Sequence, residues 1–283
     1  MSKIAIITDT DSSLPDNVAK RYGIRQVPIN IYFGEDEFKA GVEIDDSTLF
    51  LIINREKTLP TTSAPTPGQF AAAFKEAFDD GAESIACFCV SSEMSATHKS
   101  AMAAREVYPD RTIEVIDSRA TSMVQGFMSI AAVEAIQNGA SLDKAIQHAI
   151  AVRDHSHMYA AVATLKYLAM SGRVGHLAAG MGDMLNIKPI LTLKDGKLEM
   201  LEKVRTRGKA WTRLIELTER VAQNTVIERM AIVHADALNE AREFLELLQR
   251  KIICPKDIIT TELTPGLSVH AGSGVVGLVF VTA

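Results

Sequence analysis

Strand-sized apolar runs alternate with helical patterns through the first half of the chain, and that rhythm narrows the fold more than any other feature. Ile4-Ala5-Ile6-Ile7 precedes a helix from about Pro15, Ser84 to Val90 precedes one from about Ser95, and Ile113 to Ile116 precedes one from about Thr121. Repeated strand–helix–strand units predict a parallel sheet covered on both faces. Between them, Thr66-Pro67-Gly68-Gln69 combines a Thr N-cap, Pro at the first helical position and Gln at the capping-box position, which predicts a helix start. Phe70, Phe74 and Phe78 follow at four-residue spacing and are assigned to packing.

The second half reads differently. A helix near Ser141 to Arg153 is followed by a strand-like run from Met158 to Ala163. Lys188 to Leu193 and Leu198 to Val204 flank Asp195-Gly196, a tight-turn dipeptide that predicts a hairpin and hence antiparallel pairing. Arg229 to His234, Ile258 to Leu263 and Val276 to Val281 supply further strands around a helix from about Leu238 to Lys251. The expected fold class is α/β with two domains: an N-terminal parallel sheet with flanking helices over 1–155, and a C-terminal mixed sheet with helices over 156–283. A length of 283 residues suits two such domains.

Composition excludes several classes of function. With 47% apolar and 23% charged residues the chain can bury a large core. A net charge of −5 gives no general positive field for nucleic acid. Met1-Ser2-Lys3-Ile4 runs into a strand pattern with no signal-peptide core, and no apolar stretch is long enough to span a membrane, so a cytoplasmic location is expected. Cys87, Cys89 and Cys254 form no CxxC pair and read as small buried hydrophobes; no metal or cofactor is expected.

In open α/β sheets ligands bind beyond the carboxyl ends of the strands. Two hydroxyl-rich loops lie there: Ser91-Ser92-Glu93-Met94-Ser95-Ala96-Thr97, and Thr61-Thr62-Ser63 ahead of the capped helix. Hydroxyls and backbone N–H groups hold a carboxylate or phosphate oxygen, and Ser and Thr serve equally as N-caps and turn formers. Near the C-terminus, Pro265 to Gly274 places His270 in what reads as a glycine-rich loop between two strands. Leu165 to Gly172 reads as a helix ending on Gly, with Arg173 just past it.

Taken in order, Thr8-Asp9-Thr10-Asp11-Ser12-Ser13-Leu14-Pro15, Thr62-Ser63-Ala64-Pro65-Thr66-Pro67, Ser91 to Thr97, Val115-Ile116-Asp117-Ser118, Ser171-Gly172-Arg173-Val174, Ile187 to Leu191, His234-Ala235-Asp236 and His270-Ala271-Gly272-Ser273-Gly274 resemble the DegV family of bacterial fatty-acid-binding proteins, which includes the acyl-binding subunits of fatty acid kinase. The likeness spans essentially the whole chain. It implies a non-catalytic carrier that encloses one long-chain fatty acid in the cleft between its domains. The carboxylate would be held by Thr62, Ser63 and Ser92 with His270 alongside, and Arg173, Ser95 and Thr97 would lie at the cleft mouth. It also implies an ATP-binding kinase subunit as partner and a peripheral membrane contact for lipid exchange. Ala64 and Ala96 stand where the family commonly has Gln and Gly, which bears on the pocket's width and head-group bonding, and His98 replaces the usual Tyr with no role assigned to it. The Met- and Ala-rich stretch from Met158 to Met184, with Met170, Met181 and Met184, suits an acyl tunnel or ordinary core.

Other readings compete. Asp9-Thr10-Asp11 after a strand looks like the nucleophile loop of magnesium-dependent haloacid-dehalogenase phosphatases, with Gly182-Asp183 a fragment of the second metal segment. Gly272 to Gly277 matches G-x-G-x-x-G, but only six residues follow, too few for a dinucleotide site. No serine-hydrolase elbow or zinc-protease motif occurs, and His234 is expected to end a strand with local bonding. Lys203, Arg205, Arg207, Lys209 and Arg213 form a basic stretch suited to docking an acidic partner.

Overall fold

A computed structural model describes residues 3–173 and 187–283. Val174, Met181, Met184 and the Gly182-Asp183 fragment lie outside the described residues. The chain divides into two compact units, Met1–Ile44 with Pro60–Asp154, and Asp45–Leu59 with His155–Ala283. The segment 45–59 therefore clusters with the second unit although it sits early in the sequence.

The first unit is built on four parallel strands in the order β2-β1-β6-β7: β1 (Ile4–Asp9), β2 (Arg25–Val27), β6 (Ser84–Cys89) and β7 (Thr112–Asp117). Every residue of β6 is buried, as a central parallel strand requires, and its sequence is correspondingly apolar throughout. Ala5, Ile7, Ile85, Cys87 and Cys89 pack with Phe70 and Phe74 of α3 (Pro67–Asp79) and with Ala101 and Ala104 of α4 (Thr97–Arg105). The phenylalanine stripe is core, and Phe78 joins it beside Tyr108. The Thr66–Gln69 capping box forms in both directions. Helix α5 (Ser122–Gln137) is buried along most of its length, and its Gln125 bonds Thr8 of β1 and the Phe88 carbonyl of β6. A three-stranded sheet, β4 (Asp36–Lys39), β3 (Asn30–Phe33) and β5 (Thr61–Ser63), completes the unit and is antiparallel in both pairings.

In the second unit six strands run in the order β10-β9-β8-β13-β11-β12. Their ranges are β8 (Ser156–Ala161), β9 (Lys188–Lys194), β10 (Lys197–Val204), β11 (Ile227–Ala235), β12 (Ile258–Glu262) and β13 (Val275–Thr282). All pairings are antiparallel except β11 with β12, which makes the sheet mixed. Asp195 and Gly196 both take positive φ at the β9–β10 turn, the geometry that matches the twist of a two-residue hairpin. The amphipathic helices α8 (Arg207–Ala222) and α9 (Leu238–Gln249) bury Trp211, Leu214, Phe244 and Leu248 against Ile190, Met230, Ile232, Leu278 and Phe280. Cys87 and Cys89 are buried, whereas Cys254 is only partly so. Met158 is buried and Met170 is exposed.

The expected loop from Pro265 to Gly274 is instead a helix, α10 (Pro265–Ala271), followed by a short turn. Pro265 occupies the first helical position, where its missing N–H costs nothing, and the glycines that suggested a loop sit at the helix's two ends. Gly272 terminates it with φ 79° and ψ 165°, a conformation essentially restricted to glycine. A Cβ there would lie 2.5 Å from the Tyr167 ring, so the chain passes directly over that ring of α7 (Lys166–Met170).

Candidate functional site

The carboxyl ends of β1, β6 and β7 bring three loops of the first unit together. Ser91 N–H donates to the Ala120 carbonyl at 2.8 Å, and Ser118 N–H donates to the Cys89 carbonyl at 3.0 Å, which ties the loops after β6 and β7 to each other. On this frame Ser92 is exposed. Its hydroxyl donates to one oxygen of Asp117, and its backbone N–H donates to the other at 3.1 Å. Burial raises the Asp117 pKa, but the bonds from Ser92 and Arg119 and the nearby His98 outweigh it and leave the carboxyl below its ordinary range. Ser95 and Thr97 bond each other at 2.8 Å, and Ser95 Oγ also accepts the Thr97 N–H. Thr97 is fully buried and Ser95 partly so. Ala96, at the start of α4, has φ −77°, open to any residue, so alanine meets no backbone strain where the family commonly has glycine.

Thr62 and Ser63 lie on β5, where successive side chains point to opposite faces of the sheet. Ser63 is paired with Asn30 of β3 across the ladder, and Asn30 Nδ2 reaches Ser63 Oγ at 3.4 Å, the Ala64 carbonyl at 3.3 Å and Gln69 Oε1 at 3.2 Å. Gln69 Nε2 and Lys39 Nζ donate to Asn30 Oδ1 at 3.1 and 2.8 Å. Buried Asn30 thus fixes the loop through Ala64, and Ser63 faces that network while Thr62 faces the other side. Nothing in the sequence pattern marked Asn30; the capping glutamine was visible, but its second partner lies 39 residues away.

In the second unit α10 carries His270 in its last turn. Burial, aided by the positive charge of Arg173, lowers the His270 pKa to about 4, so its imidazole is neutral at physiological pH. A neutral ring offers one donor and one acceptor. Arg173 follows α7, is exposed, and donates through Nη1 to the Ser171 carbonyl. Two residues before His270 on α10, Ser268 Oγ donates to Asp46 Oδ2 at 2.6 Å. Asp46 opens α2 (Asp46–Glu56), whose N-cap Asp45 accepts the Thr48 N–H at 2.7 Å. Burial, with Glu262, Asp236 and Asp45 adding repulsion, raises the Asp46 pKa to about 8. Nothing in the sequence pattern marks Asp46, because its partner Ser268 lies 222 residues away.

Asp9 occupies no open position. It is fully buried, with Oδ1 accepting the Asp11 N–H at 2.9 Å and Oδ2 accepting the Val90 N–H at 2.7 Å and Gln125 Nε2 at 3.1 Å. It caps the single 3-10 turn Thr10–Ser12 and joins β1, β6 and α5. A nucleophile must reach its phosphorus, and this enclosed carboxylate gives the phosphatase reading no support. The His234 carbonyl accepts the Leu263 N–H at 2.6 Å, and its Nδ1 has no partner among the described residues.

The first unit presents hydroxyls at its strand ends, and the second carries a neutral histidine. Comparison with known proteins then decides the family. The model of the DegV family of uncharacterised proteins matches residues 3–283. This chain belongs to the DegV family. A DegV domain-containing protein of Streptomyces coelicolor is 32% identical over 276 residues, covering 98% of this chain and 97% of that protein. Among solved structures, a DegV family protein from Thermus thermophilus described by its fatty acid binding is 29% identical, with a TM-score of 0.90 over 99% of this chain and 100% of that one. DegV from Bacillus subtilis, described as a fatty acid binding protein, is 27% identical with a TM-score of 0.91, and both chains are covered in full. The DegV fold of a parallel-sheet unit and a mixed-sheet unit is thus shared along the chain. Among the described residues, no helix is long and apolar enough to cross a membrane.

Proposed function

We propose that this chain binds one long-chain fatty acid and acts as a carrier, with no catalysis of its own. Thr62 and Ser92 hold the carboxyl group with His270 beside it, Arg173 and Ser95 line the approach, and Ser63 and buried Thr97 act from behind, through Asn30 and Ser95. The observation that carries this reading is the full-length match to the Thermus thermophilus and Bacillus subtilis proteins, both described as fatty acid binding. The hydroxyls at the strand ends and the neutral His270 support it chemically. Energetically, each buried methylene contributes about 0.8 kcal/mol, so roughly fifteen of them approach 12 kcal/mol before chain ordering is subtracted. The head-group residues then need only satisfy the carboxyl oxygens, because leaving them unpaired would cancel much of that gain.

Replacing Thr62 by Val and Ser92 by Ala together is expected to weaken fatty-acid binding by about 2–4 kcal/mol, the value of two hydrogen bonds to a carboxyl group. Displacement of a fluorescent fatty acid measures the loss, and unchanged affinity in the double variant contradicts the assignment.

The same reading makes the bound acid a substrate for an ATP-dependent kinase partner that forms an acyl phosphate, with the basic stretch as the docking face. Arg213 is bound to Glu202 by two bonds of 2.7 Å and to Glu216 by a third, while Arg207 pairs with Glu240 at 3.2 Å and lies 4.9 Å over the Trp211 ring. Those two arginines hold α8 in place, which leaves exposed Lys203, Arg205 and Lys209 for a partner. Arg205→Glu is expected to slow phosphoryl transfer about tenfold, in line with a lost charge contact worth about 1.4 kcal/mol, with fatty-acid affinity unchanged. An unaltered transfer rate removes Arg205 from the docking face.

A further inference from the structure

Asp117, the last residue of β7, accepts three hydrogen bonds. Ser92 Oγ donates to Oδ2, and the backbone N–H groups of Ser92 and Arg119 donate to Oδ1 at 3.1 and 2.9 Å. An ionised carboxylate only accepts, and a serine hydroxyl has a single proton with two lone pairs. The Ser92 proton is therefore committed to Asp117, and what Ser92 turns outward is its lone pairs. A fatty carboxylate also only accepts. Two carboxylates on either side of one hydroxyl are one proton short, and like charges so placed do not both ionise.

We infer that a fatty acid bound at Ser92 takes up one proton from solvent, shared between its own carboxyl and that of Asp117 through the Ser92 hydroxyl, and that Asp117 is the positioning residue imposing this requirement. The inference rests on the fatty-acid reading above. In one arrangement the new O–H bond forms on the ligand, which donates to Ser92 Oγ. In the other it forms on Asp117, which donates to Ser92 Oγ while the Ser92 O–H turns to the ligand anion. Net charge and protons balance identically. The site consequently selects head groups that bring or acquire a proton: carboxylic acids, alcohols and primary amides over sulfonates, which stay anionic. Among the described residues, His98 of α4 and Cys89 of β6 interact electrostatically with Asp117, and Arg119 follows it on its own loop. Cys89 is sealed in the core with its pKa raised well above the ordinary thiol value by burial, so His98 is the neighbour that a control variant must remove.

Calorimetric titration of the full chain with laurate, in two buffers of different protonation enthalpy, counts the protons directly. Wild type is expected to take up about one proton per laurate, with affinity falling toward tenfold per pH unit between about pH 7 and 9. Asp117→Asn keeps an oxygen for the two N–H groups and offers Ser92 a donor, so uptake should fall to about zero and the pH profile should flatten. His98→Gln should keep the full uptake. Dodecanol brings its own O–H and should bind without proton uptake at any of these pH values. Laurate binding without uptake in wild type, or with the same uptake in Asp117→Asn, overturns the role of Asp117 while the fatty-acid reading stands; the wild-type arm decides even where the variant fails to fold. Failure of both laurate and dodecanol to bind overturns the fatty-acid reading together with this inference.

Discussion

Asp9→Ala is expected to cost about 3–5 kcal/mol of folding stability, measured by chemical denaturation near pH 7. The carboxylate has three donors around it, and two of them, the N–H groups of Val90 and Asp11, are backbone groups that lose this acceptor when the side chain is cut back. Gln125 fares better, since its amide also bonds Thr8 Oγ1 and the Phe88 carbonyl. Each orphaned buried donor costs about 1–3 kcal/mol, and the cavity left by the side chain adds to it. Burial raises the Asp9 pKa to about 6 against the lowering pull of those donors, so the group is largely ionised at neutral pH. Asp9→Asn should also destabilise, because its amide group would turn a donor toward other donors. A magnesium phosphatase with Asp9 as nucleophile predicts the reverse: an intact fold and a lost turnover. A variant that keeps wild-type stability contradicts the structural role assigned to Asp9.

Asp46 should dominate the pH dependence of stability in the alkaline direction. Its native carboxyl stays protonated up to about pH 8, while the unfolded chain's ordinary aspartate ionises from 3.8. Between those values the unfolded state binds fewer protons than the native state, so stability falls as pH rises, by up to about 1.4 kcal/mol per unit, and levels off above the native value. Asp46→Asn preserves the volume, accepts the Ser268 hydroxyl and cannot ionise. It is expected to be more stable than wild type at pH 7.5, with a much shallower slope between about pH 5 and 8. Denaturation midpoints at several pH values check this, and parallel slopes for the two proteins contradict it. Ser268, the partner of Asp46, lies on the same short helix as His270.

The elements carrying a clear period were readable from the sequence, and those relying on distant partners were not. Strands β1 and β6 carry continuous apolar runs because both faces of a central parallel strand are covered, edge strand β7 kept enough of one around Glu114 to be read, and α3 announced itself through Thr66, Pro67 and Gln69. By contrast, β2 to β5 are three or four residues long with mixed patterns, and Leu49 to Ile53 of α2 is a continuous apolar run in which helix and strand periods look alike. Gly266, Gly272 and Gly274 disguised α10 as a loop. At the candidate site, the clustering of hydroxyls was visible in Thr62-Ser63 and Ser91 to Thr97. Which way each hydroxyl is committed was not, because that depends on Asn30 and Asp117, 33 residues from Ser63 and 25 from Ser92. Asp117 stood in the family-like Val115 to Ser118 segment without a role, and only its bonds to Ser92 supply one.

Organic-solvent extraction of the protein as purified from bacterial cells, followed by mass spectrometry, tests the central claim most directly. A long-chain fatty acid recovered at close to one per chain, and lost or sharply reduced in the Thr62→Val, Ser92→Ala variant, is the predicted result. Folded wild-type protein that yields no acyl chain, and that takes up none from an added mixture of saturated and unsaturated fatty acids, would contradict the account.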